Sequence, residues 1–330
     1  MKQQRIISLD LIRTIAILLV IMQHAWTGLQ LDEPSAGWGR FSYHALVVMG
    51  VPLFFMLSGA LMLDARILPI RQFLGRRFKR LLLPYLLWGT VIYVLSAVMH
   101  KYPEVCSVSD ALRCYIPYLL SGSINASYWY LFVLIGLYLL TPFLQRALSA
   151  PHARRLVEYA LVLWGVWMLL RAYYPQFGSM HYYSASGFMY LGFFLAGHYC
   201  VKYLTDERRN RLVGTVGLLI AYALNVWGLS VDVNVSPVHA IAVVSLFLAL
   251  RSLPLPHRMG AFVCSSGRYT YVIYFVHVPI VSLLCMLPVW SWCPVWLCPV
   301  VIMTISYVVS YLIAFCLDRL RFIPNSWVGI

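Results

Sequence analysis

Three polar groups interrupt the first apolar run of the chain: Asp10, Arg13 and His24. An ionisable group within lipid costs roughly 2.5–3.5 kcal/mol on insertion scales, so such residues are candidates for chemistry by default. Arg13 and His24 are eleven residues apart. That much α-helix turns about 20° past three full turns and rises about 16 Å, which puts both on one face. Arg13 then sits near the inner boundary and His24 deeper. Asp10 precedes Arg13 by three residues, close enough to pair with it. A neutral imidazole is the usual base for activating a hydroxyl near pH 7, and an arginine can stabilise developing negative charge. The competing reading has Arg13 snorkelling to the interface with Asp10 as its cap or neutralising partner. A deep histidine must still find a hydrogen-bond partner inside the bundle.

Further along, Phe54 to Leu57 form an apolar block followed by Ser58 and Gly59, a small pair that also suits close helix packing. Arg76, Arg77 and Arg80 precede Pro84 and Tyr85. Arg77 and Arg80 share a helix face, and such a fork suits phosphate groups, although anchoring of a cytoplasmic loop predicts the same residues. Trp129 and Tyr130 open an apolar run, where aromatic-belt anchoring is the alternative. His277 follows Tyr269, Tyr271 and Tyr274 and lies about 12 Å into its span.

The elements that must hold these residues are membrane helices. Of 330 residues, 62% are apolar and 11% charged, and the mean hydropathy is +0.77. A soluble domain carries roughly 25% charged residues, so lipid must solvate most of this surface. No short alternating strands suggest a barrel. The reading is an all-α, polytopic helical bundle of about ten transmembrane helices, forming a single domain over residues 1–330. Spans are expected near 7–29, 44–63, 81–99, 128–147, 156–173, 186–202, 211–229, 237–253, 268–288 and 295–317. A small surface helix is expected around 108–121, and residues 66–80 read as a basic amphipathic anchor. The first run resembles a signal peptide but is interrupted by Asp10, Arg13 and His24, so it reads as a retained helix.

Charge sets the orientation. With the N-terminus inside, 20 of the 25 Lys and Arg fall in inner segments and four, Arg40, Lys101, Arg113 and Arg171, in outer ones, with Arg13 inside the first span. This asymmetry puts both termini in the cytoplasm and accounts for the net charge of +14 without a nucleic-acid partner. The eight cysteines are scattered without metal-ligand spacing, so no metal is expected. Cys106 with Cys114, and Cys293 with Cys298, are pairs that could form disulfides in an oxidising compartment or remain inert thiols.

Together these residues resemble the acyltransferase-3 family of membrane O-acyltransferases, from about residue 5 to 285. Ser8-Leu9-Asp10-Leu11-Ile12-Arg13, ten residues and then His24 look like the family's basic-residue–ten–histidine signature. Val51 to Phe55 with Ser58-Gly59 is similar to its second-helix block, and Phe73-Leu74 with Arg76, Arg77, Arg80, Pro84 and Tyr85 to its arginine motif. Tyr190-Leu191 with Phe193, Phe194 and Gly197, and Tyr271 with Tyr274 and His277, match later blocks. One departure stands out: many members carry a histidine two residues before the Trp at 129, where this chain has Ser127, which cannot serve as the same base. The chain resembles the short stand-alone members, among them the enzyme that acetylates amino sugars of enterobacterial common antigen.

The resemblance implies transfer of an acyl group, usually acetyl, from cytoplasmic acyl-CoA to a hydroxyl of a cell-envelope glycan or its lipid-linked precursor. It implies residence in a bacterial inner membrane, with lipid as surroundings. It implies His24, Arg13 and Asp10 as the catalytic set and Arg76, Arg77 and Arg80 as the CoA-binding set. Ser58, Trp129, Tyr130, Tyr274 and His277 are the supporting or substrate-binding residues. A transporter or flippase for a sugar or lipid-linked glycan is the alternative, because intramembrane Arg and His serve substrate or proton pathways equally well.

Overall fold

The computed structural model describes residues 7–31, 45–64, 67–173, 182–226, 236–254, 257–320 and 324–329. The expected ends at 44 and 227–229, and the basic residues Lys2, Arg5, Arg40, Arg66 and Arg321, lie outside the described residues. The described chain is helical, with no strand: α1 (Ile7–Gly28), α2 (Gly50–Met62), α3 (Ile70–Val98), α4 (Val108–Ser121), α5 (Trp129–Ala147), α6 (Ala153–Tyr173), α7 (Tyr182–Lys202), α8 (Glu207–Val226), α9 (Pro237–Arg251), α10 (His257–Cys285), α11 (Cys298–Arg319) and α12 (Asn325–Val328). A short 3-10 turn, Pro288–Trp292, precedes α11.

Each of the ten expected spans falls on a helix, and among the described residues six are long and apolar enough to cross a membrane by length and composition: α1, Ala45–Met62, α3, α5, Gly260–Cys285 within α10, and α11. Helix α9 is apolar but has only 15 residues, while α6 and α8 carry several charges. The basic segment is not a separate anchor. It is the first third of α3, which runs 29 residues with Pro84 inside it. Packed neighbours can re-satisfy the carbonyl that an internal proline frees, and at about 43 Å the helix exceeds a bilayer core of about 30 Å. Its basic residues Arg71, Arg76, Arg77, Lys79 and Arg80 all fall in the N-terminal part of that length. Helix α4 forms where expected, capped by Ser107, whose side chain accepts from the Asp110 amide, and ended by Gly122 at φ 72°. Neither cysteine pair is bonded, and all four thiols are free; Cys298 Sγ contacts the Pro294 carbonyl at 3.3 Å.

Helix α1 is the hub. It packs against α2, α9, α10 and α11, and its Ile12, Ala16, Ile17, Ile21 and Ala25 are fully enclosed. Apolar surface gains little by leaving lipid for protein, so close approach of backbones must supply the packing energy. The α2–α7 crossing shows how. A Cβ at Gly59 would strike the Phe194 carbonyl, and one at Gly197 would strike the carbonyl of Met56. Gly59 thus does the packing that its type suggested, and Ser58 beside it is left to face α5.

Candidate active site

The continuous α1 holds Arg13 and His24 on one face, as their spacing predicts. Near its N-terminal end Arg13 donates to Asp10 Oδ1 at 2.5 Å, an i,i+3 ion pair with Asp10 buried and Arg13 a quarter exposed. Helix α10 closes over this pair: a Cβ at Gly267 would lie 2.6 Å from Asp10 Oδ1, so only glycine leaves room for the carboxylate. Next to it, Thr14 Oγ1 lies 2.9 Å from the Asp10 carbonyl and 2.8 Å from Ser266 Oγ, which also accepts from Tyr307 at 2.7 Å. Three helices, α1, α10 and α11, are thereby locked in register beneath His24.

Three turns further out, the His24 ring meets His277 of α10, with centroids 5.2 Å apart and planes tilted 52°. His277 is fully buried. Its Nδ1 lies 3.1 Å from the Ile273 carbonyl. A carbonyl only accepts, so Nδ1 carries the proton and donates, which leaves Nε2 a bare lone pair. That Nε2 has no hydrogen-bond partner among the described residues. His24 is only part-buried and lines a cavity of about 60 Å³ together with Val20, Gln23, Val51, Phe54, Ser127, Trp129, Tyr130 and Tyr274. The structure therefore brings His24, Trp129, Tyr130 and Tyr274 to one small chamber, with His277 behind it. Ser58 is in reach of the Tyr130 hydroxyl, and the charge of Arg13 also reaches that hydroxyl. The Tyr130 ring packs on Phe55 at 4.8 Å and Tyr274 at 5.7 Å.

The arginine set is divided. Arg77 is half-buried, with its guanidinium over Phe73 at 5.7 Å. The charges of Arg77 and Arg80 both act on Tyr138 of α5, and that of Arg80 acts on Tyr271 of α10. Tyr271 stacks on Tyr274 at 6.2 Å with an 8° tilt, so a tyrosine ladder leads from the basic end to the chamber. Arg76 and Arg80 are both exposed, and among the described residues the charge of Arg76 acts on neither Tyr138 nor Tyr271.

Ser127, the departure from the family pattern, is buried at the chamber wall. Its N and Oγ both donate to Asn125 Oδ1 at 3.0 Å, and its carbonyl accepts from the Tyr274 hydroxyl at 2.7 Å. Beyond Trp129 the chamber adjoins a far larger cleft of about 1010 Å³; Gln23, Val51 and Trp129 line both spaces. Gln23, Asn125, Arg171 and His239, which line that cleft, were not singled out from the sequence. Gln23 adjoins His24 in the chain and was the most accessible to inference; the others carry no motif.

The family described as an acyltransferase domain matches residues 6–319. A nodulation protein, NolL, from Mesorhizobium japonicum is 30% identical over 180 residues, covering 52% of this chain and 46% of that protein, so the matched stretch spans under half of the relative's length. No solved structure matches. The match over nearly the whole chain, together with the helix-borne arginine and histidine on α1, makes this protein a member of the acyltransferase-3 family.

Proposed function

We propose that the protein is an O-acyltransferase that moves an acetyl group from cytoplasmic acetyl-CoA to a hydroxyl of a cell-envelope glycan or its lipid-linked precursor, in a bacterial inner membrane with both termini inside. The observation that carries this reading is the chamber itself. It presents a part-exposed His24, which no hydrogen bond holds among the described residues, beside two tyrosines and an enclosed space of about 60 Å³. Such a volume holds a few water molecules, so it favours an acetyl group over a long acyl chain.

In this reading His24 takes the proton of the acceptor hydroxyl as the oxygen attacks the thioester carbon. The C–S bond then breaks, and the CoA sulfur leaves with that proton. A tyrosine hydroxyl is the donor for the oxyanion. Tyr274 already donates to Ser127, which makes Tyr130 the better candidate. Arg77 and Arg80 hold the phosphates at the basic end. The pantetheine arm spans the roughly 16 Å from the level of Arg13 to His24, which places the thioester near His24 and the nucleotide near Arg80. The count of ten spans belongs to the same proposal, because only that count keeps the basic residues on one side. Mass spectrometry of envelope glycans from strains with and without the chain tests the reaction. A mass gain of one acetyl group that depends on the chain supports it, and identical glycans refute it.

A further inference from the structure

The large cleft has a chemistry of its own. Of its lining residues, one is formally charged, Arg171, near the end of α6. Its guanidinium sits 5.5 Å above the Trp167 ring. Ser121, Ser123 and Asn125 bring polar groups from the α4–α5 connection. The walls running down α5 and α7 are apolar, and three of their residues, Phe132, Leu140 and Phe188, are each about four-tenths exposed. The cleft thus combines a polar, cationic part with an apolar flank of partly exposed side chains. Among the cleft residues Asn125, which is 5% exposed, is hydrogen-bonded to Ser127 of the His24 chamber. Both hydrogen bonds from Ser127 fix its Oδ1, so the amide orientation is set, and the Nδ2 donors are buried without a partner among the described residues. A buried amide without partners costs stability unless a ligand completes it.

We propose that this cleft binds the acceptor as an anionic sugar amphiphile, with Arg171 pairing with a phosphate, Asn125 donating to the sugar beside His24, and the lipid chain lying along α5 and α7. The inference rests on the acyltransfer reading for what happens to the sugar, but not for the binding itself. Volume and charge agree: about 1010 Å³ is at the upper end of ligand pockets, and Arg171, the one formally charged residue among the described residues of the lining, favours a negatively charged partner.

The test is binding to the full chain in phosphatidylcholine nanodiscs without acyl-CoA. The probes are glucose linked through phosphate to a dodecyl chain, neutral dodecyl glucoside, and glucose 1-phosphate without a tail. The first should bind roughly 10- to 100-fold more tightly than either other probe, the scale of one charge-assisted contact. Arg171→Gln should reduce it to the level of the neutral glucoside, and Arg171→Lys should retain most of the preference. Asn125→Ala should weaken both sugar amphiphiles by a similar factor. Equal binding of charged and neutral amphiphiles, equal binding with and without the tail, or an unchanged preference in Arg171→Gln overturns the proposal. If those preferences hold while glycans gain no acetyl group, the cleft stands and the acyltransfer reading falls. If acetyl transfer occurs without the preferences, the reverse holds.

Discussion

The imidazole rings of His24 and His277 lie 5.2 Å apart, centroid to centroid, on helices from opposite ends of the chain. The pair is asymmetric. His277 is tied to its own helix through Ile273, whereas His24 lines the chamber. Two histidines with unequal freedom suit unequal roles: His24 as the group that meets substrate, His277 as the one that sets its position.

The N-terminal end of α1 gives a test of that positioning. Gly267→Ala places a Cβ against Asp10 Oδ1 and should push the carboxylate off Arg13. Overpacking of this kind costs about 1–3 kcal/mol. A lowered melting temperature of the membrane-embedded protein and weakened acetyl transfer are expected together. Unchanged transfer in a stably folded Gly267→Ala protein would remove the Asp10–Arg13 pair from the mechanism.

Arg77 and Arg80 should each matter for the donor. Arg77→Ala and Arg80→Ala are expected to weaken CoA binding by about 1.5–3 kcal/mol, the value of a charge-assisted hydrogen bond, while Arg76→Ala changes little because its charge acts on neither Tyr138 nor Tyr271. Isothermal titration with CoA measures this. Equal losses in all three variants would instead indicate a diffuse electrostatic surface.

Restoring the family's histidine should not help. Ser127 is 4% exposed and already spends its N, Oγ and O on Asn125 and Tyr274. Ser127→His would remove the Oγ bond to Asn125 and crowd the chamber, so transfer is expected to fall and not rise. Higher acetylation in Ser127→His would show that the chamber still accepts a second base there.

Orientation is open to labelling in a cysteine-free background. Single cysteines at 154 and 209 should react from the cytoplasmic side, and those at 104 and 178 from the outside. If 154 and 178 react from the same side, α6 does not cross and the ten-span map fails.

Sequence periodicity made the α1 face legible because one straight helix carries both Arg13 and His24, so a spacing is a geometry. The same logic located α4, whose Ser107 cap and Gly122 terminus are local signals. It did not separate the expected span at 81–99 from the basic stretch before it, which one helix from Ile70 carries together, because a basic amphipathic stretch has the same pattern whether it lies along the interface or continues into the span. It could not reveal that His277 faces His24, since that contact depends on how α10 crosses α1. Asn125 was invisible for a different reason: what marks it is an Nδ2 left without a partner, a property of the fold and not of the residue type. The ten-helix count exceeds the six spans found among the described residues because α6 and α8 carry several charges and α9 has only 15 residues, although all three satisfy the charge asymmetry that tests the map.

The central claim is that His24 removes the acceptor proton, a role that typically contributes about 10²–10⁴-fold to a rate. The most direct measurement compares glycan acetylation, by mass spectrometry, in cells carrying the wild-type chain or His24→Gln at equal abundance in the membrane. The account predicts that His24→Gln glycans match those of cells lacking the chain, and that His277→Gln retains partial transfer. Full acetylation by His24→Gln would contradict it and shift the catalytic role to His277.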